Sequence, residues 1–474
     1  MNVLIVEDDE TMLTFFADEL KKIDGVVPTL AKSRDGAVAL LKERSFDLVV
    51  LDLKIPTADG ALDADENHGL AVQAAVQDHN VGTPVVIFSA FGSLKLLKKL
   101  LAESEKHDVF GNGVPRGMTL FNEKSELQEC LDGIRAAAKE CATLDEIEIS
   151  FGTTPLDLSE NERRVLRIFA RLNGGKHVRV APLGGGLSGA RTCRIEVQDG
   201  NSVTSCHAVV KLADVRELDR EFQAHKRFVS TAIKIAGFPH VIGFVRAGAD
   251  HLGGLYYGLA AEHDTSLLDA LKTAPDGTEK IVSQLSELET TWQKGAKVET
   301  VTVGDLRREF ISDADFLPHA GKLPFDWQKL EKITVRVNRC CRHGDLHGLN
   351  VLLKNKTEPL LIDFASVGMA PASLDPLVLE LSLLFHPACR EACAAWPTAD
   401  QAANWDNLDA FTAGCPLTAY VRRCRKWAVE VEAGDKGTFA TAYAFAVRQL
   451  KFPDGNHALA IPVAACAARR IFAA

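Results

Sequence analysis

The segment RHGDLHGLNVLLKNKTEPLLIDFAS, residues 342–366, sets His343, Asp345, His347 and Asn350 ahead of one apolar run and Asp363 at the end of another. Carboxylates beside segments bound for the interior need a positive partner. Asp345 and Asn350 stand five apart and Asp363 follows thirteen later. Such a set suits phosphoryl transfer: one carboxylate orients a hydroxyl and takes its proton, while an amide oxygen and a second carboxylate hold Mg²⁺ over the phosphates. Asp345 fits the first role, and Asn350 and Asp363 the second. His343 is of a type either to brace the loop or to act as base, and His347 to brace it or to contact phosphate.

Upstream, LGGGLSGARTCRIEV places Gly184, Gly185, Gly186, Ser188 and Gly189 between two strand candidates. Glycines let backbone N–H groups approach phosphate oxygens closely. Lys211 lies in the strand-like AVVKLA, and Glu221 follows on a helical pattern as its expected partner, with Glu217 as the fallback. A buried lysine must be paired in any case, but behind a glycine loop it also suits a grip on the phosphates of ATP.

A second acidic set opens the chain. Asp8 and Asp9 follow the run NVLIV, Asp52 ends DLVVLD, Ser89 ends VVIFS, and Lys124 ends a fourth candidate strand. The C-terminal ends of parallel strands converge on one crevice. Carboxylates gathered there repel one another unless a cation compensates, and oxygen-rich sites suit Mg²⁺. A metal-supported Asp52 is then able to accept a phosphoryl group, with Lys124 and the Ser89 hydroxyl steadying the new charge.

The elements that must position these groups follow from periodicity. Over residues 1–140, short apolar runs alternate with helical patterns, which predicts a parallel sheet covered by helices. Residues 141–178 read as a helical linker or an extension of the next domain, with Ser159 and Glu162 as a capping box. From 179 to 474 a strand-rich front gives way to a helix-rich rear, as in a two-lobed α+β domain. The expected architecture is thus an α/β doubly wound domain followed by a two-lobed one.

The chain of 474 residues is long enough for two or three domains. Its net charge of -10, without a sustained basic run, argues against nucleic acid as the main partner. The helix at 159–172 lacks the recognition helix that DNA binding needs. No apolar run reaches the roughly 18–20 residues that span a bilayer. The acid-interrupted N-terminus and eleven scattered cysteines fit a reduced, cytoplasmic protein.

Residues 1–140 resemble the receiver domain of two-component response regulators. The resemblance implies Asp8 and Asp9 as the metal-binding acidic pair, Asp52 as phospho-acceptor, and Ser89, Phe121 and Lys124 as the switch residues. It also implies a histidine kinase or other phosphodonor as partner. Lys124-Ser125 replaces the usual lysine-proline pair, and the segments after Asp52 and Ser89 are expanded. A domain of this kind that only holds Mg²⁺ or forms a homodimer is the plainer alternative.

Residues 179–474 resemble the aminoglycoside and choline phosphotransferases of the protein-kinase-like fold. HGDxHxxN matches at His343, Gly344, Asp345, His347 and Asn350, and IDF at Ile362–Phe364, with Ala365 in place of a common glycine. Asp375 matches the first aspartate of a later family segment, and Glu380 stands near the second. The resemblance implies transfer of the γ-phosphoryl group of ATP, with Mg²⁺, to a hydroxyl substrate. A small molecule is favoured by the short stretch between Asp363 and Asp375, and by an acidic excess at Asp305, Glu309, Asp313, Asp315 and Asp326 that would welcome an amine. A serine or threonine of a protein is also admissible, as is a nucleotide-binding scaffold governed by Asp52.

Overall fold

The computed structural model describes residues 1–90, 100, 102, 104–152, 154–183, 190–230, 237–258, 265–390 and 396–473. Gly184, Gly185, Gly186, Ser188 and Gly189 lie outside the described residues. The chain divides into two compact units, Met1–Asp219 with Val241–Leu259, and Arg220–His240 with Ala260–Ala474. The border between the units at Asp219/Arg220 does not coincide with the expected boundary at 178/179.

In the first unit the strands β1 (Asn2–Val6), β2 (Val27–Ala31), β3 (Leu48–Leu51), β4 (Val85–Ser89), β5 (Lys106–His107), β6 (Arg116–Gly117) and β7 (Thr119–Glu123) run in chain order. Five of them form one sheet in the order β2-β1-β3-β4-β7, all parallel, while β5 and β6 pair as a hairpin. The helices α1 (Glu10–Leu20), α2 (Arg34–Glu43), α3 (Glu66–His79) and α4 (Leu127–Asp145) accompany it. Side chains alternate along each strand, so two cores result. Ile5, Val50 and Phe88 meet Phe16 of α1 and Ile134 of α4. Leu4, Val49 and Ile87 meet Leu41 of α2 and Val72 of α3. Burial on both faces explains why β3 and β4 are continuous apolar runs.

A second sheet follows, built from β8 (Glu148–Phe151), β9 (His177–Pro182), β10 (Arg191–Gln198), β11 (Thr204–Asp214), β12 (Val241–Val245) and β13 (Leu252–Gly258), in the order β12-β13-β11-β10-β9-β8. Of the two readings of residues 141–178, a helical linker or an extension of the next domain, the pairing of this sheet agrees with the second. β8 extends the sheet by pairing parallel to β9, and α5 (Glu160–Leu172) packs Val165, Leu166, Ile168 and Phe169 into its core. The capping box forms: Ser159 Oγ accepts from Glu162 N at 3.2 Å, and Glu162 Oε2 accepts from Ser159 N at 2.7 Å. With its apolar face committed to this core, α5 is not free to act as a reading helix. α6 (Val215–Ala224) follows β11 and passes the border between the units.

The second unit is mainly helical, with small sheets set among the helices. β14 (Thr265–Ser266), β17 (Val351–Lys354) and β18 (Glu358–Leu361) form one, and β15 (Lys297–Thr302), β16 (Thr334–Arg342) and β19 (Gly368–Pro371) another. The β15–β16 pair falls where a helical pattern was expected; its alternating KVETVT and TVRVNRCCR carry β-branched residues that suit a sheet. The helices Leu374–Phe385, Thr418–Val431, Asp435–Arg448 and His457–Phe472 supply its core. Among the described residues, no helix is long and apolar enough to cross a membrane.

Phe169 is 2% exposed and stacks on Tyr256 at 3.6 Å between ring centroids. Phe169→Ala therefore leaves a cavity and is expected to destabilise the protein by about 3–5 kcal/mol, read as a lowered midpoint in urea unfolding.

Candidate functional site

The parallel sheet of the first unit brings four strand ends to one edge. Glu7 and Asp8 are the first residues beyond β1, Asp52 the first beyond β3, Ser89 the last of β4, and Lys124 the first beyond β7. Asp52 Oδ1 accepts hydrogen bonds from Ser89 Oγ at 2.7 Å and Lys54 N at 3.2 Å. Its Oδ2 lies 2.6 Å from Lys124 Nζ, which also reaches Glu7 Oε2 at 2.7 Å. Phe121 sits half-buried on β7 opposite Ile87.

The acidic set is not the one expected. Glu7, Asp8 and Asp52 each offer an oxygen, all within 4.8 Å of one another. Asp9 instead caps α1: its Oδ1 accepts from Thr11 N at 2.8 Å and Met12 N at 3.2 Å, which holds its pKa below the ordinary value. Four acids stand in a row, Glu7 to Glu10, so residue type alone does not fix which of them face the crevice. The end of the buried run at Val6 is the signal that selects the first two, and the helical pattern starting at Glu10 marks the third as a cap. The donor set fits Mg²⁺, a hard cation that takes carboxylate oxygens.

Burial raises the pKa of Glu7 above its ordinary 4.5, with Asp52 adding to the rise and Lys124 opposing it. Burial also works against a charged Lys124, but hydrogen bonds to Asp52 and Glu7 lift its pKa nonetheless. The two shifts differ in origin because Glu7 is almost wholly buried whereas the Lys124 side chain keeps 22% of its exposure. The crevice thus holds a charged lysine against carboxylates short of positive charge.

In the second unit, the hairpin β17–β18 aligns Val351 with Leu361. Asn350 and Ile362, just outside that pair, remain in register, with Ile362 N donating to Asn350 O at 3.0 Å. The hairpin thereby sets Asp363 one residue from the strand position facing Asn350. Asn350 Nδ2 donates to Asp345 O at 2.8 Å, and His347 Nε2 lies 3.7 Å from Asp345 Oδ2. Burial lowers the His347 pKa and favours its neutral form. The Asp345 side chain retains 39% exposure, so its carboxylate is open to a reactant. Asp363 adopts φ 62°, a left-handed conformation unusual for a residue with a Cβ and typical of sites under functional constraint.

The loop carrying Asp345 is fixed from beneath. Asp375, with no exposed surface, accepts from His343 N at 2.7 Å and Gly344 N at 2.8 Å. Gly344 has φ 84°, and a Cβ there would collide with the Ser366 carbonyl. His343 braces the loop as expected, its Nε2 lying 2.9 Å from Ile362 O. Alongside, Arg342 and Glu289 form a fully buried ion pair. Glu380, the loosely matching acid, is taken by Arg425, whose Nε lies 2.9 Å from Oε2, and by Trp405 Nε1 at 2.7 Å.

Two features went unread in the sequence. His225 lies 5.3 Å from Phe364 between ring centroids, and Phe364 lies 5.2 Å from His343, so three rings run in a row behind the loop. Burial brings the His225 pKa down to about 4, leaving a neutral packing ring. The second is the fate of the acidic excess offered as a substrate-binding feature. Asp305, Asp315 and Asp326 serve helix starts, and Asp313 and Glu309 pair with arginines. Each of those acids has a partner within the fold, so their number by itself is no sign of an amine substrate. Lys211 is buried on β11 between Thr192 and Leu255 of the flanking strands, and Glu221 is buried on α6.

Residues 3–109 match the family described as the response regulator receiver domain. The chain therefore carries a receiver domain at its N-terminal end, and β7 with Lys124 lies beyond the matched span. Among solved structures, the receiver domain of a Francisella response regulator is 20% identical, with a TM-score of 0.22, over 30% of this chain and 98% of that one. The signal receiver domain of an HD-domain-containing protein from Pseudomonas fluorescens is 21% identical, with a TM-score of 0.23, over 30% of this chain and 97% of that one. The receiver domain of a sensor histidine kinase from Pseudomonas aeruginosa, with a magnesium ion in its active-site cleft, is 18% identical, with a TM-score of 0.20, over 28% of this chain and 97% of that one. Comparison with curated proteins returns no match.

A raised carboxyl pKa means that the folded protein holds this proton more tightly than the unfolded chain. Glu7 accordingly favours folding below its ordinary pKa and disfavours it as pH rises through the raised one. Glu7→Gln is expected to raise the melting temperature of the metal-free protein at pH 7 while reducing the further rise produced by Mg²⁺, both read by calorimetry.

Proposed function

We propose that this chain is a receiver-controlled phosphotransferase, which moves the γ-phosphoryl group of ATP to a substrate hydroxyl under the control of phosphorylation at Asp52. The observation that carries the transferase reading is the register of β17–β18, which sets Asn350 beside Asp363 while Asp375 holds the Asp345 loop. The order of motifs in the sequence supports it too: glycine-rich segment, Lys211, Glu221, Asp345, Asn350 and Asp363.

In this reading the exposed Asp345 carboxylate orients the acceptor hydroxyl and takes its proton as the oxygen bonds to phosphorus and the bond to ADP breaks. Asn350 spends its Nδ2 on the Asp345 carbonyl, which leaves the amide oxygen for a metal. That oxygen and the Asp363 carboxylate would hold Mg²⁺, which when bound would offset the charge of the phosphates. With the acidic excess assigned to caps and ion pairs, the preference for a small hydroxyl compound rests on the brevity of residues 364–374 alone.

At the receiver, Asp52 acts as the nucleophile towards a phosphodonor such as a histidine kinase. The Asp52 oxygen bonds to phosphorus while the donor's own bond to it breaks, and Ser89 and Lys124 are placed to receive the new charge.

Acetyl phosphate with Mg²⁺ is expected to add a phosphoryl group to the wild type and none to Asp52→Asn, read by intact mass. Asp345→Ala is expected to lower Mg²⁺-dependent transfer from labelled ATP into an extract of metabolites and proteins by about 10²–10⁴-fold, with ATP binding kept. Binding without transfer in the wild type would favour the nucleotide-binding scaffold instead.

A further inference from the structure

The receiver's crevice lies at the C-terminal edge of its parallel sheet. The opposite edge, where β3, β4 and β7 begin and α2, α3 and α4 end, is built into the second sheet of the same compact unit. Three observations make this joint an interior rather than a passing contact.

The first is apolar continuity. α4 starts in the receiver core with Cys130, Leu131 and Ile134 and ends in the core of the second sheet with Cys141 and Leu144. The second is backbone contact. Gly82 N donates to Asp250 O at 2.7 Å, and Gly248 N donates back to Gly82 O at 2.9 Å. A Cβ at Gly82 would collide with the Asp250 carbonyl, one at Gly248 with that of Val109, and one at Gly111 with that of Ile168.

The third is Asp250 itself, 5% exposed and at φ 61° in the turn between β12 and β13. Its Oδ2 accepts from Ser45 Oγ at 2.6 Å, and its Oδ1 from Asn80 Nδ2 at 2.6 Å, both receiver side chains, while its neighbour His251 holds Oδ2 at 2.8 Å through Nδ1. Burial opposes a charged carboxyl here, but these donors keep the Asp250 pKa below its ordinary value. A carboxylate so placed is costly to leave without its partners.

We propose that the receiver and the second sheet fold and open as one cooperative unit keyed by Asp250, so that a group bound at Asp52 is felt by the second sheet as reduced local opening. The receiver then acts as a permanent structural half of the unit instead of a module that docks and departs. Signal passes as a change in stability along strands of about 16 Å. The part of this inference that concerns Asp52 rests on the proposed phospho-acceptor role; the joint itself does not.

Hydrogen exchange on the full chain tests both. Mg²⁺ with beryllofluoride at ten times its Kd is expected to slow exchange about tenfold in β4 and by the same factor in β11 and β13. Slowing in β4 alone would overturn the inference. If no receiver amide slows, the Asp52 reading fails, and a ligand-free arm decides the joint. There Asn80→Ala, or the milder Ser45→Ala, is expected to speed exchange in β4 and β13 by matching factors, whereas a change confined to the receiver would overturn it.

Discussion

Lys124 holds the receiver crevice together. Glu7 and Asp52 are carboxylates with little access to water, and only a cation between them makes their approach tolerable. The lysine reaches them because β7 runs parallel to β4 at the sheet edge, so that its first residue beyond the strand points into the same crevice as Asp52. The shortage of positive charge that remains is what the donor set offers to a metal, while burial, with Asp52 adding to it, lifts the Glu7 pKa. Stability and function pull against each other at this point.

The second unit solves a similar problem without exposing its solution. The Asp345 carboxylate, the base of the proposed transfer, keeps part of its exposure, whereas the groups that hold its loop are buried: Asp375 against two backbone N–H groups, and Arg342 against Glu289. Backbone N–H groups are rigid donors, so a carboxylate that accepts from two of them fixes a loop more firmly than a side-chain pair would. The row of His225, Phe364 and His343 ties the same loop to a helix through ring contacts.

Residue type and order carried much of this. The alternation of apolar runs and helical patterns predicted the parallel sheet, and Asp52, Ser89 and Lys124 fell at strand ends because strands stop where apolar residues stop. The errors share one cause, which is that a polar side chain can be claimed by local backbone or by a distant partner, and its type does not say which. Asp9 became a helix cap and yielded its place to Glu7. The Asp305 and Asp315 carboxylates likewise accept from the hydroxyls of the cap residues Thr302 and Ser312, and Asp326 is itself a helix cap. Residues 141–178, open between a helical linker and an extension of the next domain, join the second sheet through the short parallel strand β8.

What the sequence alone determined is the set of candidates: which side chains are of a type to accept a phosphoryl group, take a proton or bind Mg²⁺, and which runs must be buried to bring them together. These follow from side-chain type and periodicity, which are local properties. Only the tertiary structure decided which acid stands beside Asp52, what holds the Asp345 loop, and that the receiver shares a core with the sheet that follows it. Each of those depends on residues far apart in sequence, such as Ser45 and Asp250 or His343 and Asp375, meeting at hydrogen-bond distance. Pairing of that kind is set by packing, and packing leaves no periodic trace along the chain.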